Sequence, residues 1–192
     1  MGFEYQQDAQ RFLNELRERF AKFGLELHPD KTRLIEFGRY VAPRRTARGL
    51  GKPDTFDFLG FTHLCGKTRS GRFWLRRITI SKRMRAKLRE VNDQLKRRRH
   101  QPIPVQGQWL ASVVRGHLAY YAVPGNTDAV AAFRTQATRH WYKALRRRSQ
   151  RTRINWTRMN RIANRWLAPA RVKHPFPDAR FHARTQGRSP VR

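Results

Sequence analysis

Acidic residues are scarce in this chain. Its 192 residues hold 13 Asp+Glu against 43 Lys+Arg, a formal charge of +30. Self-repulsion on that scale is seldom tolerated without an anionic partner, so nucleic-acid binding of some kind is expected. Cysteine is scarcer still. Cys65 stands alone, which excludes a disulfide or a Cys-based zinc site within one chain. No window approaches eighteen consecutive apolar residues, and Met1-Gly2-Phe3-Glu4 opens on an acid where a signal peptide would open on bases. These features fit a reducing compartment, and a cytoplasmic location with no membrane partner is expected.

What is present is unevenly placed. Residues 1–40 carry seven acids and seven bases, so the whole excess lies in residues 41–192, where six acids face 36 bases. Arginine supplies 34 of the 43 bases. Its guanidinium forks onto phosphate through two parallel hydrogen bonds and stacks on bases, which favours nucleic acid over a generic anionic surface. Phe, Trp and Tyr make up 11% of the chain, enough to argue against simple disorder.

The hydrophobic period divides the chain. Residues 8–23 read as an amphipathic helix with Phe12, Leu13, Leu16, Phe20 and Phe23 on one face and Gly24 as its stop. Leu25–His28 and Thr32–Phe37 read as short strands around a Pro29-Asp30 turn. Residues 42–53 read as a Gly/Pro/Arg loop, Phe56–Phe61 and Phe73–Ile80 as strands, and Gly66–Gly71 as a basic hairpin tip. From Ser81, a candidate cap, the period becomes helical, with Met84, Leu88, Val91 and Leu95 in one stripe. A second stripe is Leu110, Val113, Val114, Leu118 and Tyr121. A third, capped by Thr127, is Val130, Phe133, Ala137, Trp141 and Leu145. A fourth is Met159, Ile162, Ala163 and Trp166, closed by Pro169. The expected class is α+β: a helix with β-hairpins, then an all-α region, then an extended basic tail.

Five blocks in order carry a resemblance. Phe23-Gly24-Leu25-Glu26-Leu27-His28-Pro29-Asp30-Lys31-Thr32-Arg33 resembles a block of the reverse transcriptases encoded by group II introns, and Phe56-Asp57-Phe58-Leu59-Gly60-Phe61 resembles their following FxFLGF block. Gly2–Ala9 is similar to the stretch after the catalytic YxDD turn, and Arg115-Gly116-His117-Leu118-Ala119-Tyr120-Tyr121 to the RGWxxYY-like helix of maturase domain X. The ending, from His174-Pro175-Phe176-Pro177 to Val191-Arg192, resembles the terminus of bacterial members. The resemblance implies that residues 1–80 are the end of a polymerase palm, 81–168 a thumb and maturase-specific domain X, and 169–192 a basic tail.

The YxDD pair and the earlier aspartate of that family have no counterpart in these 192 residues, which match the family only from just beyond the YxDD turn. Such carboxylates hold two divalent ions about 4 Å apart around the transferred phosphate. Asp54 and Asp57, close in sequence, read as loop and turn residues rather than metal ligands. No catalytic residue, metal site or cofactor is therefore expected in the chain, although Mg2+ would serve an intact polymerase and the intron RNA. The implied function is binding of structured group II intron RNA, or an RNA/DNA duplex, to assist splicing or mobility. One alternative is a subunit of a split RNA-directed DNA polymerase completed by a separate N-terminal polypeptide carrying YxDD. Another is a generic basic coat on RNA or DNA.

The expected RNA-binding residues fall in groups. Lys31 and Arg33 lie in the first block, where the resemblance puts Lys31 near the template–primer or nucleotide site and the residues alone suggest a hairpin-edge lysine. Arg44 and Arg45 lie in the Gly/Pro/Arg loop, and Lys67 and Arg69 at the hairpin tip. Lys96, Arg97, Arg98 and Arg99 end one helix, and Arg146, Arg147 and Arg148, with Arg151 and Arg153 beyond, end another. Arg115 and Tyr120 lie in the domain X-like helix. Tyr120 and Tyr121 cannot both face inward, so one is available to stack on a base. Phe56, Phe58 and Phe61 read either as a primer grip or as core, and His117, on the face of Val113, Val114 and Tyr121, as a packed histidine rather than a catalytic one.

Overall fold

The FLGF segment does not run straight. Leu59 and Gly60 both take positive φ, 46° and 81°, the signature of a two-residue type I′ turn. The turn folds β1 (Phe56–Phe58) back on β2 (Phe61–Lys67), with Phe58 opposite Phe61. The single strand expected over Phe56–Phe61 is thus two strands. A β-carbon at Gly60 would lie 2.9 Å from the Tyr121 hydroxyl oxygen, so φ and space both require glycine there. β3 (Phe73–Thr79) pairs antiparallel with β2 from Phe61 opposite Thr79 to Lys67 opposite Phe73, completing a three-stranded sheet in the order β1-β2-β3.

This computed structural model describes residues 1–68, 70–149 and 153–176. Among them are six helices and the one small antiparallel sheet, a mixed α+β fold that is mostly helical. The chain divides into two compact units, Met1–Asp54 and Thr55–Arg192. That division falls at 54/55 rather than at the expected 80/81, because the sheet is bonded to the helices that follow it.

In the first unit, α1 (Gln6–Ala21) ends in a Schellman motif. Gly24, at φ 67°, donates its N–H to the Ala21 carbonyl at 3.0 Å, and Leu25 N–H reaches the Phe20 carbonyl at 3.0 Å. The two strands expected over residues 25–37 do not form. Lys31 and Thr32 both donate to the His28 carbonyl, so the Pro29-Asp30 turn exists without a ladder on either side. Residues 42–53, expected as a loop, contain most of α2 (Val41–Ala47). Pro43 sits in its first turn, where no N–H is missed. Gly49, at φ 65°, closes it with the same paired bonds, to Thr46 and Arg45. Ala9 and Val41 are the buried apolar residues of this unit among those described, and Phe3, Tyr5, Phe23, Leu25, Leu34, Tyr40 and Leu50 are exposed.

The second unit stacks α3 (Ser81–Arg97), α4 (Ile103–Tyr121), α5 (Thr127–Arg146) and α6 (Trp156–Trp166) around one core. Leu88, Val91 and Leu95 meet Leu110, Val114 and Leu118, and these pack on Val130, Phe133, Ala137, Trp141 and Leu145 with Met159 and Ala163. The expected stripes are the buried faces. Each large side chain there is worth about 2–5 kcal/mol against truncation to alanine. The expected caps differ. Ser81 and Thr127 are the first helical residues and make no cap bond, whereas Asn155 caps α6 by accepting from Arg158 N–H at 2.9 Å.

Two buried amides tie this unit together. Asn126 accepts from Thr79 N–H at 3.0 Å and donates to the Thr79 hydroxyl at 2.7 Å and the Tyr121 carbonyl at 2.8 Å. It thereby fixes β3 to the α4–α5 connection. Gln106 donates to the carbonyls of Arg98, Arg99 and Gln101 at 2.9–3.1 Å and accepts from Trp141 Nε1–H at 2.8 Å. Carbonyls at the end of α3 are thus satisfied inside the core. After α6, residues 169–176 form neither helix nor strand, and Lys173 N–H donates to the Ala122 carbonyl while His174 Nε2–H donates to that of Ala119, both near the end of α4. The remainder of the expected tail lies outside the described residues.

Candidate nucleic-acid interface

α3 carries seven bases and two acids, and its apolar stripe occupies only one face. Its basic end and that of α5 come together. Arg148 Nη2 donates to the carbonyls of His100 and Gln101 at 3.2 and 3.0 Å, binding the end of α5 to the α3–α4 connection. His140 on α5 registers the same convergence. Burial first, then the positive charges of Lys143 and Lys96, holds its imidazole below the usual histidine range. One end of the bundle therefore gathers Lys96 and Arg97 with Arg146 and Arg147, all exposed.

The residues in these runs do different work. Lys96 binds Asp93 at 2.9 Å, an exposed pair; that hydrogen bond and charge hold the Asp93 carboxyl below its ordinary value. Arg98 is half-buried over the Trp109 ring at 5.1 Å, and Arg99 is half-buried. Arg148 is also half-buried, and with Arg98 it helps hold the α3–α4 connection. Arg146 lies over the Tyr142 ring at 5.7 Å, and Arg147 and Arg153 are exposed. Among the described residues Arg97, Arg146, Arg147 and Arg153 form no salt bridge, so their charge is free for phosphate.

The remaining expected residues are scattered. Lys31 is exposed at the Pro29-Asp30 turn. Arg33 and Arg45 both face Asp54, at 3.9 and 3.2 Å, and Arg45 also donates to the Gly51 carbonyl. Arg44 pairs with Glu36 at 3.5 Å. Lys67 is exposed at the end of β2, and Arg115 is exposed on α4. Arg69 and Arg151 lie outside the described residues. Asp54 is occupied by those arginines, while Asp57 accepts from the Thr62 hydroxyl at 2.6 Å. Among the described residues no three His, Cys, Asp or Glu side chains are grouped as metal ligands, and no helix is long and apolar enough to cross a membrane.

The aromatic residues divide as well. Phe61 is buried and Phe58 exposed, so the core reading of the FxFLGF aromatics holds for Phe61. Tyr120 is 50% exposed, its hydroxyl donates to the Leu59 carbonyl at 2.7 Å, and its ring stacks on Phe61. His117 is packed, stacked on Phe133 with ring centroids 3.6 Å apart. Burial, then the charge of Lys87, pushes its pKa down to about 4.

Sequence reasoning missed Gln106, which nothing local in the sequence separates from Gln101 and Gln108. It also missed a cavity of about 390 Å3 between α3 and α4, where Arg83 and Lys87 face Gly116, His117, Tyr120 and Tyr121. In comparisons with known proteins, the chain matches no family model, no curated protein and no solved structure.

Proposed function

We propose that this chain is an RNA-binding, maturase-type part of a group II intron reverse transcriptase. It grips structured intron RNA, or an RNA/DNA duplex, to assist splicing or mobility in the cytoplasm of a bacterial-type cell. The observation that carries the binding reading is the meeting of the α3 and α5 basic ends, where Arg97, Arg146 and Arg147 are exposed and, among the described residues, have no carboxylate partner. The ordered resemblance supplies the identity of the RNA. The grip is electrostatic: arginine and lysine displace counterions from the phosphate backbone, and exposed aromatics add stacking. The chain supplies no catalytic residue and no cofactor, and splicing chemistry belongs to the RNA and its Mg2+.

A second reading, a subunit of a split reverse transcriptase completed by a separate chain with YxDD, draws support from the first unit. With Ala9 and Val41 as its buried apolar residues and several exposed aromatics, that unit has the surface of a piece built to pack on something else. One experiment tests both readings. Purified chain should bind intron RNA with an affinity that falls on the order of 10³-fold between about 50 and 200 mM salt, for six or more phosphates contacted. It should synthesise no DNA on a primed template with Mg2+. A flat salt response would sink the electrostatic grip, and synthesis that appears only when a YxDD-bearing polypeptide is added would favour the split enzyme.

A further inference from the structure

The cavity between α3 and α4 is separate from the basic end of the bundle. Arg83 and Lys87 lie in the first two turns of α3, about 15 Å of helix from Lys96 and Arg97. Its volume of about 390 Å3 is within the range of small-ligand sites. Its walls combine three kinds of group. The cations are Arg83, which has no salt bridge among the described residues, and Lys87, whose pair with Glu90 at 2.8 Å is exposed and weak enough for a phosphate to compete. The aromatic surface is Tyr120. Its ring is fixed before any ligand arrives, by the hydroxyl bond to Leu59, the stack on Phe61 at 5.7 Å and the edge contact with Tyr121 at 4.8 Å.

The third group is His117. Only 8% of it is exposed, and its Nε2 has no hydrogen-bond partner. That nitrogen is fully enclosed, so the ring contributes a wall to the cavity rather than a free polar atom. Burial keeps this imidazole neutral near pH 7, so the wall adds no charge of its own. Between these groups Gly116 leaves the helix surface bare, since a β-carbon there would meet nothing within 4 Å.

A fixed aromatic plane, two cations and a neutral imidazole wall match a single nucleotide. They do not match a base pair, whose faces are covered by its neighbours in the stack. We propose that this cavity takes one unpaired nucleotide of an RNA strand, its base against Tyr120 and its phosphate on Arg83 and Lys87. The His117 ring forms the wall beside that base. The assignment rests on the RNA-binding reading and gives it a preference for bulged or looped RNA.

The test uses the full chain with three probes: a fully paired RNA hairpin, the same hairpin with one bulged adenosine, and AMP. The bulged hairpin should bind about tenfold more tightly than the paired one, with AMP a poor competitor. Gly116→Leu fills the cavity from an open helix position with a better helix former, and should bring the ratio of the two affinities to about one. Tyr120→Leu should lower the same ratio. Equal binding of the two hairpins by the native chain, or a preference that survives Gly116→Leu, would overturn the assignment. AMP competing as well as the bulged hairpin would make the cavity a free-nucleotide site and overturn the assignment to a strand. If neither hairpin binds at low salt, the RNA-binding reading itself fails. Equal and salt-sensitive binding of both removes only the pocket.

Discussion

Between Phe133 and Tyr121, with Lys87 close by, the His117 imidazole is a poor place for a second positive charge, and its pKa falls to about 4. The unfolded chain takes up that proton near the ordinary histidine value of about 6.5. Between these two values the unfolded state binds more protons than the folded one, so stability drops as pH is lowered through the window. The loss is complete below the folded pKa and amounts to about 3 kcal/mol. His140, held down by burial beside Lys143 and Lys96, adds to the slope in the same direction. The measurement is therefore a difference. His117→Phe keeps an aromatic ring on Phe133 and removes the titrating nitrogen, so its denaturation midpoint should fall less than the native chain's between pH 6.5 and pH 5. Parallel curves for the two proteins would show that His117 is not the group responsible.

At the scale of elements, the helices cross where side chains are absent. A β-carbon at Gly107 on α4 would lie 2.6 Å from the Trp166 ring of α6. Gly107→Ala should therefore destabilise the fold by about 1–3 kcal/mol, even though alanine is the better helix former. Thermal melting would read this as a lowered Tm, and an unchanged or raised Tm would mean that α6 shifts freely. The elements also divide by how far their causes lie apart in sequence. Helix stripes such as Leu110, Val114 and Leu118 were legible because a helix writes its buried face into a local period. The β1–β2 turn was not, because Leu59 in the left-handed region is unusual, and the room for Gly60 is set by Tyr121, far along the chain. Strands were expected over residues 25–37 from alternation alone, but a strand needs a partner ladder and none forms there. α2 was obscured by Pro43 and Gly49, which punctuate its ends as readily as they would a loop.

For the whole molecule, net charge suggests a class of partner but does not locate a surface. Arginines read alike in a sequence, yet Arg98 and Arg148 hold the α3–α4 connection, and Arg134 ties α5 to the segment after α6 by donating to the Ala168 carbonyl at 3.0 Å. Burial and partnering, which composition does not carry, separate those from Lys96, Arg97, Arg146 and Arg147, which point to solvent at one end of the bundle. Replacing these four by glutamine removes charge, and the interactions lost among the described residues, the Lys96–Asp93 pair and Arg146 over the Tyr142 ring, involve exposed cations and are worth little. Stability should stay within about 0.5 kcal/mol of the native chain. If the four contact phosphates, the slope of log affinity against log salt should become shallower by about 3 to 4, with each lost contact worth about 0.7 to 0.9. The weakening should be nearly uniform across RNA sequences, because phosphate contacts carry no base information. The bulge preference assigned to the α3–α4 cavity should persist in this variant, since its cations are Arg83 and Lys87. An unchanged slope would move the RNA surface away from the bundle end. A shallower slope with the preference kept would separate two functions on one fold: a non-specific grip at the end of the bundle and a single-nucleotide reader along its side.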